Sequence, residues 1–442
     1  MSEGSLKNPN PDKGKAGKPM NVSAAVALGI GSMVGAGIFA LMGVAGSIAG
    51  SAVYLSFIVA GIVALLSGYS MAKLGARYPS AGGIVEYLAQ GFGVGLFSGA
   101  LSILLYLSAL IALALVAKTF GSYAVALLPV ERSTLWVNGM ADFIIIAFAL
   151  INLEGAKSVA LSEKIIVGLK LLVLAAFSAV GLIYARPELL SPAQYPESKM
   201  ILYSLAITFF AFEGFRVITN AAEDMPQPEK TLPRAMFISI GLVMVLYVAV
   251  ALAVFGNLDV QAVIRAKDYA LAEAAKPVFG VAGFTVVAIA ALISTASAIN
   301  ANLYAITNVT YQLAKEGELP EAFGEPIGHS REGLLISAGL IIVLSSFLDL
   351  SEVAAVGSIT VLMVHLVVHL GHLKLRHKTG ASLMLILLAI VMIVLTISFA
   401  LVYAIKDSPN IIWLVAVVVL IAFISEFLLF KLTRRRIQPR IL

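Results

Sequence analysis

The sequence contains no cysteine, and only 12% of its residues are charged. Without cysteine the chain can form no disulfide, no thiolate metal ligand and no thiol nucleophile. Hydrophobic residues make up 60% of the chain, which leaves too few polar side chains to cover the surface of a soluble domain. The absence of cysteine excludes a disulfide-stabilised domain, and the low content of charged residues excludes an ordinary soluble domain. The composition therefore indicates a membrane protein.

Two catalytic patterns are also missing. The chain has no Gly-x-x-x-x-Gly-Lys-Ser/Thr motif, so it carries no ATP-hydrolysing module of that type. No spacing of Ser, His and Asp suggests an intramembrane enzyme. We therefore predict no enzymatic activity, no catalytic residue and no cofactor.

Long apolar segments follow one another along the chain. A helix of about 20 apolar residues crosses a bilayer, and hydropathy predicts about twelve such helices. The third and eighth are longer than a span along the membrane normal needs, so we expect them to tilt or to extend beyond the bilayer. The predicted spans are 22–49, 52–77, 95–127, 135–153, 161–185, 200–221, 235–256, 277–313, 332–349, 353–373, 382–405 and 410–431.

Lysine and arginine are unevenly divided between the loops. If the N-terminus is cytoplasmic, the cytoplasmic side holds about three times as many of them as the other side. This predicts a multi-pass cell-membrane protein with both termini in the cytoplasm. The basic cluster Arg434–Arg436 is then an anchor and not a nucleic-acid site. Residues 1–20, rich in Lys, Pro, Gly and Asn, are predicted to be a disordered cytoplasmic tail.

Four glycines lie within nine residues of the first predicted span. Gly29, Gly31, Gly35 and Gly37 each weaken a helix by up to about 1 kcal/mol relative to alanine. Free backbone groups are tolerated in hydrocarbon only where they line a cavity or find partners. The run alone leaves two readings open, a broken helix or close helix packing through small residues.

The sixth predicted span places Glu213, Gly214 and Arg216 in mid-membrane. Charges at this depth cost several kcal/mol, so they usually face the bundle interior and have a function. Spans one and six occupy equivalent places in two five-helix halves, and paired interruptions of this kind indicate a transporter built from inverted repeats. The sequence therefore favours two broken helices.

The two breaks predict a binding site. The half-helix after Gly35 would direct free N–H groups at a carboxylate, and carbonyls freed around residues 211–213 would face an ammonium group. Phe210 and Phe212 are candidates for the gate and the cavity wall, with plain packing as the alternative. The residues predicted to bind substrate are Met33, Gly35, Ala36, Gly37, Phe210, Ala211, Phe212 and Glu213.

Five segments resemble one family of carriers. They are residues 31–39 (GSMVGAGIF), 78–87 (YPSAGGIVEY), 209–215 (FFAFEGF), 222–234 (AEDMPQPEKTLPR) and 313–320 (LAKEGELP). Together they resemble the amino acid–polyamine–organocation superfamily, and most closely its broad-specificity proton-coupled amino acid transporters. The resemblance implies an all-α LeuT-like fold, with a five-plus-five inverted repeat in residues 21–375. Two additional helices and a basic tail would then occupy residues 376–442.

Lys170 lies about ten residues into the fifth predicted span, too deep to reach water comfortably. The resemblance places it where sodium-coupled relatives hold a sodium ion, so its ammonium would replace that ion. Protonated, it could bridge a carbonyl near Gly31 and a hydroxyl of the eighth span, for which we select Ser297. Loss of the proton would release the bridge and let the bundle move. The alternative is a structural tether with a fixed charge.

Glu213 departs from the family pattern, which often has an acid after the Gly-Phe of the sixth helix, where this chain has Arg216. Three roles remain open: an internal pair with Arg216, recognition of a cationic substrate, or proton uptake. His365, His369 and His372 lie on the tenth span with no further zinc ligand nearby. We predict packed histidines and no metal site, with pH sensing as the alternative.

The sequence thus predicts sodium-independent, proton-coupled uptake of amino acids by alternating access. The partners are an amino acid or related amine, protons and the lipid bilayer, and the chain is a monomer or weak oligomer that binds no nucleic acid. The alternative is a uniporter or exchanger of amines, polyamines or cationic amino acids, in which Lys170 is structural.

Overall fold

The computed structural model describes residues 20–80, 82–154, 159–315, 319–328 and 330–432. The predicted N-terminal tail, apart from its last residue, and the cluster 434–436 lie outside these residues. The described part is almost entirely helical, and its small sheet is a two-stranded antiparallel pair of β1 (Pro326–Ile327) and β2 (Ser330–Arg331).

The α-helices differ in length from a single turn to a stretch far longer than a bilayer is thick. In chain order they are α1 Val22–Met33, α2 Ala36–Ala49, α3 Val53–Arg77, α4 Ile84–Phe92, α5 Leu96–Leu127, α6 Thr134–Glu154, α7 Val159–Ile183, α8 Ser198–Tyr203, α9 Leu205–Phe210, α10 Val217–Asn220, α11 Pro228–Asn257, α12 Val260–Arg265, α13 Ala270–Lys315, α14 Glu332–Phe347, α15 Leu350–Thr379, α16 Leu383–Asp407 and α17 Asn410–Leu432. Short 3-10 helices span Gly50–Ala52, Pro187–Leu190, Pro192–Gln194, Glu213–Arg216, Ala222–Asp224, Lys267–Tyr269 and Glu321–Gly324.

Ten helical stretches of the described chain are long and apolar enough to cross a membrane. One of them, Gly37–Arg77, contains α2 and α3, which are joined by a 3-10 turn. It therefore counts as two passes: α1 and α2 together make the first, and α3 makes the second. The apolar α14 is shorter, at 16 residues, and makes a further pass. The twelve passes predicted from hydropathy are therefore found, and the all-α, polytopic fold class is confirmed.

Both predicted breaks are present. The first pass is interrupted between α1 and α2, where Val34 and Gly35 leave the helical conformation. The sixth pass is divided into α8, α9 and α10, with the 3-10 helix Glu213–Arg216 between the last two. Glycine thus marks the position at which the first helix unwinds. Glycine and charge mark the position at which the sixth tightens into a 3-10 turn, with Ala211 and Phe212 still in the right-handed helical conformation.

A third interruption lies in α13. Gly280 has φ +65° and ψ −160°, which divides the 46-residue helix. A residue with a Cβ is strongly disfavoured in this conformation, so glycine permits the kink. Pro277 lies three residues earlier and lacks a backbone donor. The excess length of the eighth predicted span therefore includes a bend as well as additional turns.

The burial pattern separates an interior bundle from a lipid-facing shell. Much of α3, α5 and α15 and the interior face of α11 are buried in one continuous apolar core. The outer helices expose large apolar side chains, as at Leu135 (81%), Met384 (75%) and Trp413 (73%). Such a surface is stable in hydrocarbon and not in water. The described residues thus form a membrane-embedded bundle.

Packing inside the bundle brings the broken helices together. The long helix α11 lies along α1 and α3, while α15 packs against α3, α4 and α5. Near the N-terminus, the Met20 amide donates to the Asp224 carbonyl at 2.9 Å, so α1 begins beside the loop that follows the sixth pass. We call this end of the bundle the N-terminal face.

Candidate substrate and coupling site

The interrupted segments of the first and sixth passes touch main chain to main chain. A Cβ built at Gly37 would lie 2.3 Å from the Ala211 carbonyl oxygen, and one built at Gly214 would lie 2.5 Å from the Met33 amide nitrogen. Real side chains do not fit in such gaps, so these glycines permit the approach. The glycine run left two alternatives open, a broken helix and close helix packing, and both are present at this site.

Tyr247 on α11 connects both breaks. Its hydroxyl lies 2.6 Å from the Met33 carbonyl oxygen and 3.2 Å from that of Ala211. The side chain is fully buried, and its ring packs against Phe57 and Phe212. Because interrupted helices leave carbonyls without their usual intrahelical donor, this hydroxyl satisfies groups that the breaks expose. The Met33 carbonyl oxygen also accepts from the Gly35 N–H at 2.9 Å. The sequence offers no signal for Tyr247, since it is one tyrosine within an apolar run.

Lys170 reaches the first break from α7. Its Nζ donates to the Gly31 carbonyl oxygen at 2.6 Å, and the side chain is 3% exposed. A Cβ at Gly35 would lie 3.8 Å from the same Nζ. The contact with Gly31 is the one expected from the resemblance, and Gly35 lies beside Lys170 at the break.

The hydroxyl that α13 places at the break is that of Ser294. Its Oγ donates to the Val34 carbonyl oxygen at 3.3 Å, and the residue is fully buried. Ser297, predicted as the bridging hydroxyl, lies one turn later on the same helix and is half-buried. Residue type alone could not choose between them, because the rotation of α13 decides which hydroxyl faces α1.

A cavity of about 130 Å³ lies beside the two breaks. Its walls come from α1, α2, α5, the sixth pass and α13, and they continue toward the N-terminal face through Gly82, Asn220 and Val309. The predicted substrate-binding residues that line it are Met33, Gly37, Phe210, Ala211 and Glu213.

The remaining predicted substrate-binding residues occupy other places. Phe212 is fully buried against Phe57 and Tyr247, outside the lining of this cavity. Its position is that of a packing residue behind the wall. Ala36 begins α2, and its side chain lies outside the described part of the chain.

Glu213 forms a charged cluster at the cavity wall. Its Oε1 lies 2.6 Å from Arg216 Nε, and its Oε2 lies 3.0 Å from His365 Nε2. Glu213 is 7% exposed and His365 is fully buried. The internal pair with Arg216 is therefore present, and it includes a histidine that the sequence could not link to it. Within the described residues, no group of three potential His, Cys, Asp or Glu ligands could hold a metal ion.

Comparisons with known proteins agree over nearly the whole chain. A family model described as amino acid permease matches residues 20–425. The inner membrane transport protein YbaT of Escherichia coli is 36% identical, over 92% of this chain and 95% of its own. The uncharacterized protein MJ0609 of Methanocaldococcus jannaschii is 38% identical, over 85% and 87%. The methylthioribose transporter of Bacillus subtilis is 27% identical, over 79% of each chain.

Proposed function

Because the chain is a member of the amino acid permease family, we propose that it takes up neutral amino acids by sodium-independent, proton-coupled symport. The observation that carries the proposal is the meeting of two interrupted helices beside a cavity, with a buried lysine bonded to one of them. The cell membrane is the site of action, and both termini are cytoplasmic. The protein works as a monomer or weak oligomer.

The substrate is held by main-chain groups at the breaks. The first N–H groups of α2, those of Ala36 and Gly37, have no acceptor in a preceding helical turn and bind the amino acid carboxylate. The Gly35 N–H is not available for this, because it donates to the Met33 carbonyl oxygen at 2.9 Å.

The Ala211 carbonyl oxygen, to which the Tyr247 hydroxyl also donates, accepts from the ammonium group of the substrate. The Phe212 carbonyl oxygen, which the sequence also predicted to be free, accepts from the Phe215 N–H at 3.0 Å. A zwitterion supplies both charges at the separation that two opposed helix breaks can match.

The cavity walls favour a neutral, apolar side chain. The lining includes Leu41, Val116 and Ile306, and Glu213 is already paired with Arg216 and His365. A cationic side chain would have to displace Arg216 from a buried ion pair, and breaking such a pair is costly. This argues against the cationic amino acids and polyamines that Glu213 alone would favour.

Lys170 couples the proton to movement. As an ammonium it makes a charge-assisted hydrogen bond to the Gly31 carbonyl, which is stronger than one from a neutral amine. Loss of the proton weakens that bond and frees α1 to move relative to α7. Residues 21–375 form the moving core as a LeuT-like five-plus-five repeat, and residues 376–442 form an addition to it.

The test is uptake into proteoliposomes without sodium, with and without an inward proton gradient. The panel is labelled valine, serine, arginine, putrescine and methylthioribose, the last of which is not a zwitterion. We expect the gradient to drive valine and serine uptake in the wild type and not in Lys170→Ala. Lys118→Ala is the matched control, because Lys118 is also buried but bonds to Asn138 and Ser345, away from the breaks.

Lys170→Arg separates coupling from tethering. Arginine keeps a cation beside Gly31 but does not lose its proton in proteins. If Lys170 couples protons, the variant exchanges amino acids but gains nothing from the gradient. Gradient-driven uptake by Lys170→Arg would contradict the coupling role. Wild-type uptake indifferent to the gradient would establish the alternative, a uniporter or exchanger in which the 2.6 Å bond to Gly31 is a tether.

A further inference from the structure

A row of polar side chains begins at the cavity with an ion-pair contact and continues through hydrogen bonds. His365 on α15 contacts Glu213 through Nε2 at 3.0 Å, and its Nδ1 lies 2.9 Å from Ser67 Oγ on α3. The same Ser67 oxygen lies 2.9 Å from His369 Nε2. Two histidines one turn apart are therefore joined through a single hydroxyl.

The row continues toward the N-terminal face. His369 Nδ1 lies 2.9 Å from Ser70 Oγ, which lies 2.6 Å from His372 Nδ1. His372 Nε2 lies 2.9 Å from Thr379 Oγ1, in the last residue of α15. Each ring nitrogen of the three histidines thus has a polar neighbour within 3.0 Å. Five links of the row are hydrogen bonds, and the first link, between Glu213 and His365, is an ion-pair contact.

The row is sealed along its length and accessible at its ends. His365, His369, His372, Ser67 and Ser70 are all fully buried. At one end Glu213 lines the cavity, and at the other Thr379 is half-buried where α15 reaches the N-terminal face. A closed path of titratable groups between a cavity and a membrane surface has the form of a proton pathway.

We propose that this row is a proton relay between the Glu213 carboxyl and the cytoplasm. Two arrangements of its protons satisfy the five hydrogen bonds and place one proton between Glu213 and His365. In the first, Glu213 is protonated and donates to His365, and each group donates to the next as far as Thr379. In the second, Glu213 is ionised and each donor points back toward it.

The two arrangements differ by one proton. Glu213 gives its proton to His365 Nε2, and the Nδ1 proton of His365 passes to Ser67, whose own proton passes to His369. Ser70 and His372 repeat the exchange, and one proton leaves His372 Nε2 through Thr379. The Glu213 carboxylate that remains pairs with Arg216. No bond other than those to hydrogen forms or breaks, and no charge accumulates in the row.

Other charged groups surround the row without entering it. Arg216 holds the Glu213 carboxylate, and Lys73 on α3 is the charged neighbour of His372. Two further helices that pack against α15 carry Glu86 on α4 and the buried Glu426 on α17. Lys118, Lys406 and Asp407 lie near the opposite face.

The relay rests on the proposed proton coupling and deepens it. Lys170 controls the first break, whereas Glu213 is the place where a proton that entered with the substrate is held. The relay returns that proton to the cytoplasm along α3 and α15, separately from the substrate. If the histidines only packed α15 against α3, nothing would require their row to start at the Glu213 carboxylate in the cavity wall.

The test removes the two hydroxyls that join the histidines. Ser67→Ala with Ser70→Ala changes no formal charge, and Ser67→Thr with Ser70→Thr restores both hydroxyls. His377→Gln is the matched control, because His377 is exposed on the same helix. Full-length protein is placed in liposomes containing a pH-sensitive dye. Labelled valine counterflow and valine-dependent acidification of the lumen are then measured in vesicles from which sodium is absent.

We expect the double alanine variant to keep valine counterflow and to lose valine-dependent acidification. The double threonine variant and His377→Gln should acidify the lumen as the wild type does. Acidification that persists in the double alanine variant would overturn the relay alone. Valine counterflow by the wild type without any acidification would overturn both the relay and the proton coupling. If the alanine variant also loses counterflow, the serines are structural and the relay is wrong.

Discussion

Among single residues, Tyr247 connects the two broken helices, because its one hydroxyl contacts a carbonyl oxygen on each of them. Tyr247→Phe would leave buried carbonyls of Met33 and Ala211 without this donor, at a cost of about 1–3 kcal/mol. We expect the variant to unfold at a lower temperature and to bind substrate more weakly. Thermal unfolding and valine counterflow measure the two effects.

Tyr304→Phe is the control for this change, because Tyr304 is 62% exposed on α13. It should leave unfolding and counterflow as they are in the wild type. A Tyr247→Phe protein with wild-type stability would show that the two carbonyls find other donors.

The sequence identifies a site residue when its type is costly inside a membrane helix, and it misses residues whose type is tolerated there. A lysine or a glutamate deep in a membrane helix is costly enough to be noticed, as at Lys170 and Glu213. Serine and tyrosine are tolerated in any helix of this kind, so nothing distinguishes Ser294 or Tyr247 before the helices are assembled. His365 is visible as a polar residue, but its contact with Glu213 depends on how α15 packs.

At the scale of elements, Gly37 decides whether the broken helices can meet. Gly37→Ala would place a Cβ 2.3 Å from the Ala211 carbonyl oxygen, so α2 or the sixth pass must shift. We expect valine counterflow to be lost and the thermal midpoint to fall. Gly241→Ala is the matched control, since its Cβ in α11 would meet nothing within 4 Å. It should stabilise the helix by about 0.5–1 kcal/mol. Normal transport by Gly37→Ala would contradict this packing.

The number and order of the passes followed from hydropathy, and the two breaks followed from glycine and charge. Boundaries were less accurate, since α11 begins at Pro228 and not at residue 235, and α15 ends at Thr379 and not at residue 373. The kink at Gly280 was not predicted, although Pro277 and Gly280 are both visible in the sequence. Proline and glycine are common in membrane helices because neighbouring groups compensate for them. Their presence alone therefore does not distinguish a bent helix from a straight one.

At the scale of the whole molecule, the absence of cysteine makes orientation directly measurable. Glu188, in the 3-10 helix Pro187–Leu190, and Glu229, in the first turn of α11, are both exposed and lie on opposite sides of the membrane in the predicted topology. A membrane-impermeant maleimide should label Glu188→Cys in intact cells, and Glu229→Cys only after permeabilisation. The unmodified chain is its own blank, because it has no thiol to react. The reverse labelling pattern would invert the topology.

The contact of Gly37 with the Ala211 carbonyl also has an evolutionary consequence. The proposed recognition of substrate by main-chain groups requires no particular side chain there, so it tolerates substitutions in the surrounding sequence as long as Gly37 and Gly214 remain. The walls of the cavity, among them Leu41, Val116 and Ile306, are under no such restriction. Related carriers can therefore come to accept different solutes through substitutions in the cavity walls, while the main-chain groups proposed to bind the solute stay the same.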